Sequence, residues 1–263
     1  MKAALTIAGS DSGGGAGIQA DLRTFAAHDV HGASAITAVT AQNSVEVRDW
    51  LAVPAEMVVK QIETVASDMP VAAAKTGMLA NAEIVSAVAE CLGRLALPFL
   101  VVDPVMVAKG GHRLLKPEAE RAYLERLLPL ATLVTPNIPE AEALLGEPIA
   151  DIGAMRAAAA RLRARGARAA LVKGGHLEGD AVDVFDDGTQ VLELRAERID
   201  TPHTHGTGCT LSAAIAARLA LGAPLVEAVR GAKAYVTEAI RHGYAMGHGH
   251  GPVDHLYARR GRS

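Results

Sequence analysis

The chain has 263 residues and half of them are apolar, enough to bury a sizeable core in one large α/β domain or two modest ones. Basic side chains number 26 against 29 acidic ones, a formal net charge of −3, and only 3% of residues are aromatic. Those figures exclude a basic nucleic-acid footprint and wholesale stacking on single-stranded bases. Two cysteines, Cys91 and Cys209, cannot build a disulfide framework and suit a reducing cytosol.

Lys2 and the apolar run 3–8 faintly resemble a secretory signal, but the run is short and ends in Gly9-Ser10-Asp11-Ser12 rather than a small-residue cleavage site. It reads as a first strand over 4–8. Further strands are expected over 34–41, 71–75, 99–103, 132–136 and 169–173, with helices over 54–69, 84–95 and 116–128 between them. In the second of these helices Ile84, Val85, Val88, Leu92 and Leu95 recur at helical spacing and mark a buried stripe. Arg156, Arg161, Arg163, Arg165 and Arg168 lie in an Ala-rich helix and read as a solvated face. Val182 and Val184 alternate before Asp186-Asp187-Gly188, and Val191-Leu192-Glu193-Leu194 follows, an antiparallel hairpin at a sheet edge. Two closing helices, 208–221 and 224–242, are separated by Gly222-Ala223-Pro224. Alternating strands and helices predict a mostly parallel sheet covered on both faces. No repeat, linker or composition shift divides the chain, so a single domain over 1–263 is expected. No stretch approaches the ~20 apolar residues of a membrane span, which together with the cysteine usage predicts a soluble, cytoplasmic protein.

In open α/β sheets ligands bind beyond the carboxyl ends of the strands, and here those loops are polar and glycine-rich. Strand one runs into Gly9-Ser10-Asp11-Ser12-Gly13-Gly14-Gly15-Ala16-Gly17 and a helix carrying Asp21, where backbone amides can approach a ligand closely. Gly15-x-Gly17-x-x-Ala20 formally matches a dinucleotide fingerprint, but no acidic residue lies between Asp29 and Glu46 to hold a ribose. The absence of any Gly-Lys pair excludes a Walker A loop. Instead, Thr204-His205-Gly206-Thr207-Gly208-Cys209-Thr210 presents successive amides as it enters a helix, an arrangement that favours an anion. Thr135-Pro136-Asn137-Ile138-Pro139-Glu140 and Leu171-Val172-Lys173-Gly174-Gly175-His176 follow neighbouring strands and supply oxygen donors for hydrated Mg²⁺ and a cation near phosphate.

Six segments in order along nearly the whole chain, 6–21, 75–79, Asp103-Pro104-Val105-Met106, Asn137-x-x-Glu140, 172–176 and 205–210, resemble the hydroxymethylpyrimidine/phosphomethylpyrimidine kinases of the ribokinase-like superfamily. The resemblance implies a three-layer α/β/α fold with a mostly parallel sheet and a small antiparallel edge hairpin. It implies successive ATP-dependent phosphorylations of 4-amino-5-hydroxymethyl-2-methylpyrimidine, with Mg²⁺, in thiamine biosynthesis, and by analogy a homodimer. It places the catalytic base on Cys209, where sugar-kinase relatives carry an Asp. A thiol at a helix N-terminus is expected to have a lowered pKa. Gly206, Thr207 and Gly208 would form the anion hole. Pyrimidine contacts fall on Gly9, Asp21, Gln42, Met78 and Val105, with the Gln42 amide able to donate to a ring nitrogen and accept from an amine. Asn137, Lys173 and Gly208 would bind ATP, and Glu140 with Asp103 would hold the metal.

Several assignments have a structural alternative. Asn137 and Glu140 also have the spacing of a helix N-cap, Met78 and Val105 of core packing, Asp21 of an exposed first-turn acid, Lys173 of a surface lysine and Cys209 of a small packing residue. Cys91 reads as core. His242, His248, His250 and His255 read as a mobile Gly-rich tail, while Gly251-Pro252-Val253 with His255 resembles the family's C-terminal segment. His203 stands where relatives commonly carry Asn. Competing functions are a pyridoxal kinase and a catalytically silent pyrimidine-binding regulator on the same fold.

Overall fold

The computed structural model describes residues 1–106, 117–175 and 179–260. His176 and Lys116, the expected start of a helix, therefore lie outside the described residues.

The order along the chain is β1 (Ala3–Ser10), α1 (Gly17–Ala27), β2 (His31–Gln42), β3 (Val47–Ala52), α2 (Ala55–Asp68), β4 (Val71–Thr76), α3 (Ala82–Leu95) and β5 (Leu100–Val102). There follow α4 (Pro117–Ala122), β6 (Leu133–Val134), α5 (Ile138–Leu145), α6 (Ile152–Ala164), β7 (Ala170–Lys173), β8 (Ala181–Asp186) and β9 (Val191–Ala196). The last elements are α7 (Thr207–Ala220), α8 (Leu225–Arg241) and the short α9 (Tyr257–Arg260). No helix among the described residues is long and apolar enough to cross a membrane.

The strands form one sheet in the order β3-β2-β1-β4-β5-β6-β7-β8-β9. Pairing is parallel from β2 through β7 and antiparallel at β3, β8 and β9. Leu5, Ile7, Val58, Ile62, Val88 and Leu162 belong to the apolar cluster that seats α2, α3, α5 and α6 on one face, and Phe25, Leu133, Ile215 and Val229 to the cluster that seats α1, α7 and α8 on the other. Such double coverage leaves the central strands as short apolar runs, and the result is a three-layer α/β/α fold with the expected edge hairpin β8-β9.

Three departures from the sequence reading have physical causes. Strand β3 was not expected: it is an edge strand whose Arg48, Asp49, Trp50 and Leu51 are all exposed, so it has no buried face to imprint an alternation. The helix expected through 128 ends at Ala122, widens into a π turn over Tyr123–Leu127 and closes in a 3₁₀ turn at Leu128–Leu130. Pro129 lacks the N–H an α-helix needs there, and Tyr123 Oη donates to Gly77 O at 3.0 Å, tying this turn to the end of β4.

The C-terminal segment is not a free tail. His250 N donates to Ser44 O (2.9 Å), His205 N to Gly251 O (3.0 Å) and Val253 N to His205 O (3.3 Å), which clamps the segment between the β2–β3 turn and the loop before α7. His255 is buried, Tyr235 Oη donates to its carbonyl at 2.6 Å, and burial pushes its imidazole down to about 4. His242 stacks on Tyr257. Glycine makes the clamp possible: a Cβ on Gly249 would lie 2.0 Å from Ser44 O.

Candidate active site

Beyond the carboxyl ends of the parallel strands lies a cavity of about 970 Å³. Gly9, Gln42, Met78, Asp103, Val105, Asn137, Glu140, Lys173, Gly206, Thr207, Gly208 and Cys209 all line it. Asp21 does not, and the expectation that it touches substrate is corrected here.

Asp21 lies fully buried in α1 beneath the cavity floor. Lys75, at the end of β4, donates to both its carboxylate oxygens at 3.0 and 2.9 Å, and Thr6 Oγ1 donates to Oδ2 at 2.6 Å. Burial alone would lower the Lys75 ammonium, but Asp21, with Cys209 and Asp103 nearby, holds it above its ordinary value. Lys75 lines the cavity, a cation that the expected site did not include. Its partner is 54 positions away, so spacing offered no signal.

Cys209 sits in the first turn of α7, as expected, but its thiol is not activated. Burial pushes it up to about 11; Lys75 and a hydrogen bond from the Gly17 backbone oppose this, while Asp21 and Asp103 reinforce it. The helix end was legible in the sequence, whereas the buried carboxylates behind it were not. Because only the thiolate reacts, alkylation of Cys209 by iodoacetamide is expected to quicken about tenfold per pH unit between pH ~7 and ~10. Peptide mapping checks this, since Cys91 is fully buried. A rate that is flat with pH would mean a thiol already ionised.

Beyond β5 and at the end of β7, Lys173 Nζ lies 2.9 Å from Asp103 Oδ1 and 3.9 Å from Glu140 Oε2. Asp103 also accepts from Ser212 Oγ (3.2 Å) and Thr135 Oγ1 (3.3 Å). Burial would raise the Asp103 carboxyl, but Lys173 and Lys75 hold it below the ordinary range. Burial pushes Glu140 up to about 7 despite Lys173, and Asp103 adds to the rise. Asn137 and Glu140 form a complete capping box: Asn137 Oδ1 accepts from Glu140 N at 2.9 Å and Glu140 Oε2 from Asn137 N at 2.8 Å. The capping alternative is thus real, and it leaves both residues lining the cavity.

The N-terminus of α7 opens into the same cavity. Gly206 is its N-cap at φ +81, where a Cβ would lie 2.0 Å from Gly15 O, so only glycine brings the two loops together. The Thr207 hydroxyl donates to Thr204 O at 2.7 Å. Gly208 and Cys209, as first-turn residues, have no carbonyl one turn back within the helix. A Cβ on Gly208 would lie 3.3 Å from Lys173 Nζ, so the positive helix end and the ammonium converge on one spot.

The floor is shaped by Asp11, which the sequence placed only within a glycine-rich loop. Its carboxylate accepts from Gly13 N (2.8 Å), Gly15 N (3.0 Å), Ala16 N (2.8 Å) and His205 Nε2 (3.1 Å). Burial would raise this acid, but the bonds from His205 and the Ala16 amide, with the His205 charge and the Gly13 amide, hold it below the ordinary range. An Asp two residues before a glycine, able to cap its own turn, was the available signal.

Residues 11–254 match the family model described as phosphomethylpyrimidine kinase. The chain belongs to the phosphomethylpyrimidine kinase family. A hydroxymethylpyrimidine/phosphomethylpyrimidine kinase of Streptomyces coelicolor is 53% identical, with 97% of this chain and 94% of that protein covered. Among solved structures, the phosphomethylpyrimidine kinase of Clostridium difficile 630 is similar at 44% identity and a TM-score of 0.82, covering 91% of this chain and 100% of that one. A Bacillus subtilis pyridoxal kinase, solved as an ADP complex, is similar at 42% identity and a TM-score of 0.92, covering 98% of this chain and 99% of that one. Phosphomethylpyrimidine kinases therefore share this fold with pyridoxal kinases, and the chain is a phosphotransferase that uses ATP.

Proposed function

We propose that the chain, as a single kinase domain over 1–263, transfers the γ-phosphoryl group of ATP to the hydroxymethyl oxygen of the aminopyrimidine, and then to the resulting monophosphate, in thiamine biosynthesis. The observation that carries this reading is the positive end of α7, with Cys209 in its first turn and Gly208 beside Lys173 Nζ, opening into one cavity. At about 970 Å³ it reaches the upper end of the roughly 300–1,000 Å³ usual for one small molecule, which suits two adjacent substrates.

Gln42 and Thr40 sit at the rim that would receive the pyrimidine, with Met78 and Val105 as apolar walls. No Phe, Tyr or Trp lines the cavity among the described residues, so the ring would be held by aliphatic contact and polar readout rather than stacking. The first-turn amides of α7 would stabilise charge on the transferring phosphoryl group, and Lys173 with Asn137 would hold the nucleotide phosphates. Cys209 would take the hydroxyl proton as its thiolate, the minor form at neutral pH, so turnover should climb as pH rises towards about 11. The reading includes a homodimer, supported by an exposed apolar pair, Val39 opposite Leu51, at the β3 edge of the sheet.

The carboxylates fit Mg²⁺. Asp103 and Glu140 share Lys173, and burial, which raises Glu140 to about 7, disfavours its carboxylate, a cost that a bound cation would offset. No group of three ligands lies together among the described residues, which suits an ion that keeps its waters and binds through phosphate. When bound, Mg²⁺ would neutralise phosphate charge. Because Glu140 takes up a proton below about 7, the half-saturating free Mg²⁺ should rise as pH falls, approaching about tenfold per unit below pH ~6. Titration at fixed MgATP checks this, and Glu140→Gln should flatten the dependence.

Likeness to a pyridoxal kinase favours pyridoxal as the second reading. Parallel assays test the choice: kcat/KM should favour the pyrimidine alcohol by about tenfold or more. Preference for pyridoxal would reverse it.

A further inference from the structure

We propose that Asp11 and His205 are positioning residues that fix the rotation of the Gln42 side-chain amide. They thereby set which hydrogen-bonding edge the cavity accepts: an exocyclic amine on the His205 side and an unprotonated ring nitrogen on the Thr40 side.

The two ends of a glutamine amide exchange places by a half-turn, so their assignment follows from their neighbours. The Gln42 backbone is anchored, its N–H donating to Ser12 Oγ at 2.8 Å and its carbonyl accepting from the same hydroxyl at 2.6 Å. The Gln42 Nε2 position lies 3.3 Å from His205 Nε2 and the Oε1 position 3.4 Å from Thr40 Oγ1, an assignment that the half-turn reverses.

Each neighbour has only one option left. Asp11, a carboxylate already receiving three backbone N–H groups, can only accept, so the His205 Nε2 at 3.1 Å from it must carry a proton. That holds whether the ring is neutral or charged. A protonated Nε2 has no lone pair to offer an amide nitrogen, and at 3.3 Å it can only share with a carbonyl oxygen the proton it donates to Asp11; an amide nitrogen there would set donor against donor. Thr40 Oγ1 spends its single proton on Ser10 O at 2.9 Å, so towards Gln42 it can only accept. It calls for the amide nitrogen. The two demands arise from different residues and agree.

What remains for a ligand is one lone pair on Oε1 and one N–H on Nε2, in a fixed spatial order. A 4-aminopyrimidine edge, amine beside bare ring nitrogen, matches that order. Its 4-oxo counterpart, carbonyl beside ring N–H, would meet like with like at both points. Discrimination of this kind is strong because a mismatched buried group stays unpaired. The substrate half of this inference rests on the proposed pyrimidine site; the amide orientation does not.

The test has two arms. Nitrogen-15 NMR of histidine-labelled, ligand-free protein should show His205 Nε2 as a protonated, pyrrole-type nitrogen. A bare, pyridine-type Nε2 would overturn the proposal whatever the enzyme phosphorylates. In the kinetic arm, His205→Ala should raise the KM of the aminopyrimidine alcohol about tenfold, leave that of ATP within about twofold, and narrow the preference over the 4-oxo analogue. His205→Gln, whose amide N–H reaches the place of Nε2–H, should restore most of the loss. Equal rises for both substrates, or no rescue by Gln, would refute the positioning role. No turnover with the aminopyrimidine at all would sink the substrate reading, while the NMR arm, read on the parent chain, still decides the orientation.

Discussion

Cys209→Ala is expected to lower kcat for the pyrimidine alcohol by about 10²–10⁴, the usual worth of a positioned general base, while the KM for ATP stays within about twofold. The thiol lies in the first turn of α7, and the wall of Lys173, Asp103 and Glu140 that would hold the nucleotide does not depend on its side chain. Cys209→Ser should fall nearly as far, because a hydroxyl ionises even less readily than a thiol held at about 11. Steady-state kinetics at several pH values check both variants. In the parent, turnover should rise with pH as the thiolate fraction grows; in Cys209→Ala that rise should vanish. Activity of the Ala variant within about threefold of the parent would move the proton to another acceptor.

Lys75→Met and Asp21→Asn should each destabilise the fold by about 3–5 kcal/mol, since each leaves a fully buried charge, or a polar group in its place, without its partner. For a chain of this size that corresponds to a fall in Tm of roughly 10 °C. The double variant Lys75→Met with Asp21→Leu should recover much of the loss, because an apolar pair of similar volume removes both desolvation costs. Thermal unfolding followed by circular dichroism separates the three proteins. Single variants melting within about 1–2 °C of the parent would show that the pair carries no such burden. The recovered double variant should remain slow in turnover, because Lys75 is the cation that favours the Cys209 thiolate.

These two sites show what a single sequence reveals. The layered fold was legible because strands buried on both faces leave short apolar runs: β1, β4 and β7 fell within two residues of their expected bounds. Strand β3 was not, because an edge strand with Trp50 and Leu51 exposed carries no inward face. Of the expected site residues, those in loops at strand ends met in the cavity because the topology gathers such loops there. Asp21 failed for a different reason: its neighbour in space, Lys75, lies 54 residues away, and only that neighbour turns a helix acid into the buried half of an ion pair. The thiol of Cys209 was misjudged likewise, since position at a helix end is local but desolvation and the Asp21 and Asp103 charges are not. Asn137 and Glu140 satisfy two readings at once, as a capping box and as cavity wall, and spacing alone had no means of preferring one.

The most direct test of the central claim is a mass spectrum, taken over time, of products formed from the pyrimidine alcohol with excess MgATP. A monophosphate that appears first and then yields to a diphosphate is the predicted result. A pyrimidine alcohol left unmodified under conditions in which the protein phosphorylates pyridoxal would contradict it.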